Sequence, residues 1–196
     1  PHFEEVGAGL QLGPNAVRAL QYLGAWDAVA PHCVSPAEIQ VRDGLSGNIL
    51  QRIPLGSEFE KQFGAPYRVA HRADLLNGLL ESARSKPSIK LQNSAEVADV
   101  AIAETTLTLK SGKTHAGQAI IAADGVHSVV RSRLLGHMRK NPIGHMLHRG
   151  LVPIAAIPAS VNVDAVTLWL WPGGHVVHYP VSNWRHFNIV AAVEDS

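Results

Sequence analysis

The sequence is short of cysteine, of any excess of one charge and of long apolar runs, and each shortage excludes a class of protein. One cysteine, Cys33, among 196 residues leaves no internal disulfide framework and no cysteine-based zinc site, and it suits a reducing compartment such as the cytoplasm. The 17 Lys and Arg against 16 Asp and Glu give a formal net charge of +1, without a block of like charge to form an interaction tail. No basic stripe is present, so nucleic acid is not an expected partner. No apolar run approaches the roughly 18–20 residues of a membrane-spanning helix, so no membrane association is expected either. Repeats and low-complexity tracts are also missing. The chain opens at Pro1 with no initiator Met and no signal-like stretch, so it reads as a processed product or a segment of something longer.

What is present is an α/β first part followed by a β-rich second part. From Pro14, the residues Ala16, Val17, Leu20 and Leu23 recur on one helical face, with Gly24 where a helix wants its C′ glycine. Ahead of that helix runs the glycine-rich stretch Gly7-Ala8-Gly9-Leu10-Gln11-Leu12-Gly13. Ala37–Arg42 alternates in polarity and is followed by turn residues and Ile49–Leu55, the pattern of a hairpin. His71–Arg84 is helical in spacing and Pro87 closes it. Two alternating runs follow, around Val97–Ile102 and Leu107–Leu109. Ala119–Ala123 is unbroken apolar sequence, which predicts a strand buried on both faces. It stops at Asp124-Gly125, and Val126–Leu135 resumes helical spacing. This is a strand-to-helix junction of the kind where open α/β sheets bind ligands. Past about residue 136 the spacing turns strand-like, over Leu151–Ile157, Ala165–Trp171, His175–Val181 and Phe187–Val193. The expected division is 1–136, an α/β part with a hairpin insertion near 37–55, and 137–196, an antiparallel β part.

Several motifs invite chemistry. The glycine stretch departs from the dinucleotide fingerprint, since position 12 is Leu and no buried strand precedes it, leaving an ordinary loop or a close backbone approach to a ligand. His145/His148 and His175/His178 have i,i+3 spacing, but in a strand i and i+3 face opposite sides, so no metal site is expected. Ser128 lacks a nucleophile elbow and Cys33 reads as a small buried residue. Trp169 and Trp171 share a strand face and read as sheet packing. Asp124-Gly125 is the better site candidate. Its turn and the helix start behind it can offer N–H groups to a pyrophosphate while the carboxylate accepts from a ribose or ribityl hydroxyl, with Arg131 orienting the turn; Asp124 as a structural N-cap is the other reading.

Four segments together resemble the flavin-dependent aromatic hydroxylases, the group A FAD monooxygenases, in their salicylate hydroxylase and 6-hydroxynicotinate 3-monooxygenase branch. They are Gly7-Ala8-Gly9-Leu10 with Leu12, Pro14, Asn15 and Ala16; His71-Arg72-Ala73-Asp74-Leu75; Ala123-Asp124-Gly125-Val126-His127-Ser128-Val129-Val130-Arg131; and Arg149–Pro153 leading to Gly174-His175 and Tyr179-Pro180. The resemblance implies a central portion of such an enzyme, lacking an upstream Gly-x-Gly-x-x-Gly strand and a downstream Gly-Asp motif. It implies a partial Rossmann-type FAD domain over 1–136 and a partial β-sheet substrate domain over 137–196.

Position by position, the resemblance implies that Gly7, Ala8, Gly9 and Leu10 pass backbone close to FAD. Arg72 meets its phosphate–ribose region and Val97 its adenine end. Asp124 and Gly125, supported by Arg131, serve FAD and the nicotinamide cofactor. His175 and Tyr179 line the substrate pocket as catalytic residues, and Gln11 joins them. Gln11 stands where the 6-hydroxynicotinate enzyme has an active-site His; a glutamine binds a carboxylate or hydroxyl but is no base. The implied reaction hydroxylates a phenolic or carboxylated aromatic ring with NADH or NADPH and O₂, through a C4a-hydroperoxyflavin. A homo-oligomer is compatible with this reading. The alternative is a truncated, non-catalytic module that only binds a small aromatic ligand or a partner.

Overall fold

A computed structural model describes residues 8–136 and 144–195. The chain forms two compact units, described separately: residues 91–136, and residues 8–90 with 144–195. These units follow contacts in space and cut the chain differently from a division by order at residue 136.

The larger unit begins with strand β1 (Gly9–Leu12), paired antiparallel with β4 (Arg68–His71) in the register Gly9↔His71 and Gln11↔Val69. The glycine-rich stretch is therefore strand rather than loop from Gly9 onward. Helix α1 (Pro14–Tyr22) follows, with proline in its first turn and Gly24 at φ +65° just past its end. Ala25 N–H donates to Leu20 O and Gly24 N–H to Gln21 O, the Schellman closure that only a left-handed residue permits cheaply. Val17 and Leu20 are buried as the helical face requires, whereas Leu23 is exposed. Helix α2 (Trp26–Val29) and helix α4 (Arg72–Arg84) pack together, with α3 (Ser57–Phe63) between them in sequence. His71 caps α4, its Nδ1 accepting from Ala73 N–H at 3.3 Å. Leu12, Val17, Leu20, Val29 and Ala70 form the core here, with Leu75 and Leu79 packed on it.

The second half of this unit is a six-stranded sheet in the order β3-β2-β9-β10-β11-β8. Its strands are β2 (Glu38–Asp43), β3 (Ile49–Pro54), β8 (His145–Pro153), β9 (Ala165–Trp171), β10 (Gly174–Val181) and β11 (His186–Glu194). All pairs are antiparallel except β2 beside β9. The expected hairpin thus forms, and it extends the same sheet as the late strands. Val34, Tyr67, Val69, Val166, Tyr179 and Val181 make a second core where β4 meets this sheet.

The smaller unit is a three-stranded antiparallel meander of β5 (Val97–Ala101), β6 (Thr106–Leu109) and β7 (Thr114–Ala116), against which α5 (Val129–Leu135) packs. Arg133 ties that helix to β5 through Asp99 at 2.7 Å. One expectation is corrected. Residues 119–123 form no strand and are mostly exposed, Ile121 at 93%. An apolar run becomes a buried strand only with neighbours on both edges and both faces, and no described residue pairs with it. The helix behind it is also shorter than its spacing suggests, because Gly125–His127 is a 3₁₀ turn.

Candidate functional site

The larger unit brings three of the expected site residues, Gly9, Gln11 and Tyr179, around one polar cluster. Tyr179 is directly opposite Asn188 across the β10–β11 ladder, so the two side chains share a sheet face. Strand β1 lies over them. Gly9 N–H donates to Asn188 Oδ1 at 2.7 Å, and a Cβ at Gly9 would stand 2.5 Å from Tyr179 Cε2 and 2.8 Å from Asn188 Cγ. Only glycine allows the strand to lie this close. Gln11, two residues on and so on the same side of β1 as the Gly9 Cβ position, accepts from the Tyr67 hydroxyl through Oε1 at 2.5 Å, and its carboxamide favours the ionised form of the Tyr179 phenol.

Tyr179 is 3% exposed, and its burial pushes the phenol up to about 12 against the smaller opposing influences of Gln11 and the Arg149 charge. It is therefore a neutral hydroxyl at physiological pH. Tyr67 is likewise held protonated by burial, then by the neighbouring Tyr179. Neither Tyr67 nor Asn188 belongs to a motif, and both escape a motif-based reading. Asn188 is 1% exposed, and its Nδ2 has no hydrogen-bond partner.

His175 shares the face of Tyr179, as i,i+4 spacing in a strand requires, but four residues of strand separate the two by roughly 13 Å. They belong to one surface and do not converge on one atom. His178 points to the opposite face. Its Nε2 accepts from Trp169 Nε1–H at 2.9 Å, and Arg42 lies 5.1 Å over the Trp169 ring. Burial, then the Arg42 charge, drops His178 to about 4, so it is a neutral packing residue. His145 and His148 are on β8 and face apart in the same way. Among the described residues no group of three or more His, Cys, Asp or Glu is placed to hold a metal. Cys33 is half-buried and its thiol is pushed up to about 11 by burial, so it is no thiolate nucleophile at neutral pH.

Of the remaining expected residues, Gly7 lies outside the described residues. Ala8 O accepts from the backbone N–H of Arg72, so the glycine strand and the start of α4 are tied together. Arg72 and Leu10 flank that junction.

In the smaller unit, Asp124, Gly125 and Arg131 form one turn. Asp124 Oδ2 accepts from Val129 and Val130 N–H at 2.8 and 3.3 Å, and Ser128 Oγ accepts from Arg131 N–H at 2.9 Å. The Arg131 guanidinium bonds Gly125 O at 3.3 Å and Val126 O at 2.6 Å, which fixes the turn from the carbonyl side. The Ser128 hydrogen bond, followed by the backbone amides, holds the Asp124 carboxyl below the usual carboxylate range. Gly125 sits at φ +74° with open space where a Cβ would be, beside an open cleft of about 520 Å³. Because the helix amides are taken by Asp124, this turn fits a hydroxyl-bearing chain such as ribityl or ribose better than a phosphate. Both readings of Asp124 are thus compatible with one geometry. Val97 is on β5 in the same unit, half-buried.

No protein-family model matches the chain. Comparison with known proteins nevertheless points to one class: the chain is similar in sequence to aromatic-ring hydroxylases and monooxygenases, and it shares with solved structures of such enzymes, FAD complexes among them, a mixed α/β fold with antiparallel sheets. It is 35% identical over 192 residues to 3-hydroxybenzoate 6-hydroxylase of Polaromonas naphthalenivorans, covering 97% of this chain and 48% of that protein. Among solved structures, salicylate hydroxylase in a substrate complex aligns at TM-score 0.75 and 27% identity, over 96% of this chain and 48% of that one. HpxO of Klebsiella pneumoniae, complexed with FAD and uric acid, aligns at TM-score 0.77 and 25% identity, over 97% and 48%. The chain spans about half the length of the curated relatives it matches.

Among the described residues, no helix is long and apolar enough to cross a membrane.

Proposed function

We propose that this chain supplies the substrate-facing sheet and part of the FAD site of a cytoplasmic aromatic-ring monooxygenase. It would act on a phenolic or carboxylated ring with NADH or NADPH and O₂ as co-substrates, residues 1–136 serving mainly the cofactor and 137–196 mainly the substrate. Bound FAD would supply the redox chemistry, taking a hydride from the nicotinamide and activating O₂ for transfer of one oxygen atom to the ring.

The chain's own residues would orient and exclude water. Gly7, Ala8, Gly9 and Leu10 would offer backbone to the flavin, Arg72 would meet the phosphate–ribose region, and Val97 the adenine end. Asp124 and Gly125 would take a hydroxyl of the cofactor, with Arg131 holding their turn. Gln11, His175 and Tyr179 would line the substrate surface. Tyr179 would hold the ring hydroxyl or carboxylate and His175 would bound the pocket farther along the strand.

The observation that carries this reading is the seating of Gly9 on Tyr179 and Asn188, which joins the glycine segment to the substrate-facing strand in one cluster. Intact mass and the visible spectrum of the purified protein test it. Flavin absorption with hydroxylation of 3-hydroxybenzoate is expected. Tyr179→Phe should then lower coupled hydroxylation about tenfold, the order of one hydrogen bond to an anionic oxygen. A colourless protein that takes up no added FAD overturns the reading and favours the non-catalytic module.

A further inference from the structure

Tyr67 precedes β4 and lies in no motif, yet it controls the orientation of Gln11. Its hydroxyl donates to Gln11 Oε1 at 2.5 Å, and burial keeps that proton in place. The carboxamide of Gln11 has an oxygen at one end and an amide nitrogen at the other. With the oxygen turned to Tyr67, the nitrogen is the end that faces Tyr179. The effect of Gln11 on Tyr179 has the matching sign: it favours the ionised phenol, as a donor to the phenol oxygen does and an acceptor does not. The Tyr179 oxygen thus receives, and its own proton is left to give.

Charge on the same face indicates what receives it. Arg149 pairs with Val190 on β11, two residues along from Asn188 and on the same side of the sheet as Tyr179. Its guanidinium charge favours the ionised form of the Tyr179 phenol.

Resting on the function proposed above, we infer that Tyr67 is a positioning residue which, through Gln11, sets Tyr179 as a one-way hydrogen-bond donor to an anionic oxygen of an aromatic acid. Gln11 cannot then extract the ring proton, and Tyr179 cannot accept it. The site selects ligands that arrive already bearing an acceptor oxygen.

The protein has only three tyrosines, of which Tyr22 is 92% exposed, so ring-labelled tyrosine gives three resolvable NMR signals. Side-chain amide labelling reports Gln11. Without ligand, Tyr67→Phe should move both the Gln11 amide pair and the Tyr179 signal while the circular dichroism stays that of the parent. Titration with 3-hydroxybenzoate should shift Tyr179 in the parent, and Tyr67→Phe should weaken that binding about tenfold, on the order of one hydrogen bond. Gln11→Met, at an exposed position, should weaken it to a similar extent and serves if Tyr67→Phe folds poorly. Benzoate moving Tyr179 where phenol does not would assign the bound oxygen to the carboxylate; the reverse would assign it to the ring hydroxyl. An unmoved Gln11 pair in Tyr67→Phe, or undiminished binding in both variants, overturns the inference alone. A parent whose Tyr179 responds to none of the three probes overturns the ligand assignment and the aromatic-acid reading, while the ligand-free spectra still decide the Tyr67–Gln11–Tyr179 link.

Discussion

Single residues carry most of what is specific in this chain. Gly9 is the sharpest case, because its missing side chain is space already occupied by the Tyr179 ring and the Asn188 carboxamide. Gly9→Ala forces the strand away from both, and overpacking of this kind costs about 1–3 kcal/mol. Chemical denaturation should read that loss, and a variant as stable as the parent would show that β1 has room to shift. His178 supplies a second residue-scale test. Its value near 4 lies below that of an ordinary histidine, so the unfolded chain takes up the proton first as pH falls. Stability should therefore decline as pH drops from about 6.5 to about 4, and His178→Gln should flatten that stretch of the curve. The motif residues Gly9, Gln11 and Tyr179 were legible in the sequence, but Tyr67 and Asn188 were not. Asn188 was within reach of arithmetic: the pairing Val181↔His186 across a four-residue turn places Asn188 opposite Tyr179. Tyr67 left no such trace, since its role comes from β1 and β4 pairing across more than 50 residues of chain.

At the scale of elements, local signals predicted what local forces decide. Proline at the start and Gly24 past the end bracket α1, and the alternating runs became β2, β3 and the late strands. The turn ahead of α5 shows how a site can be built from the same parts as a cap. Ser128 Oγ accepts from Arg131 N–H and bonds Asp124, whose carboxylate accepts from the next two amides. Ser128→Ala should destabilise the smaller unit by about 1 kcal/mol, as loss of a helix N-cap does, with faster hydrogen exchange at Arg131. The Asp124 contribution has a defined pH direction. Because its carboxyl is held lower in the folded turn than in an unfolded chain, the stabilisation is complete above the ordinary carboxylate range and drains away as pH falls through the lower folded value. Amide exchange at Val129 and Val130, followed down through that range, should accelerate in the parent beyond its intrinsic pH dependence and show no such inflection in Asp124→Asn.

For the molecule as a whole, the residues least determined by their own sequence are 119–123. Their composition is that of a buried strand, and the pattern was readable, but burial is a property of neighbours rather than of the segment. No described residue pairs with them, so an apolar run carrying Ile121 at 93% exposure faces solvent. Backbone without a ladder partner and a contiguous apolar surface are the two ingredients of edge-to-edge association. Light scattering across a concentration series should accordingly find species heavier than 21.0 kDa in the parent. Ile121→Lys should restore the single-chain mass, because a charge at the centre of the run opposes strand addition without touching the meander or α5. A parent that stays at the single-chain mass at every concentration would mean that this run is covered within its own molecule, and its exposure would then no longer account for any association of the chain.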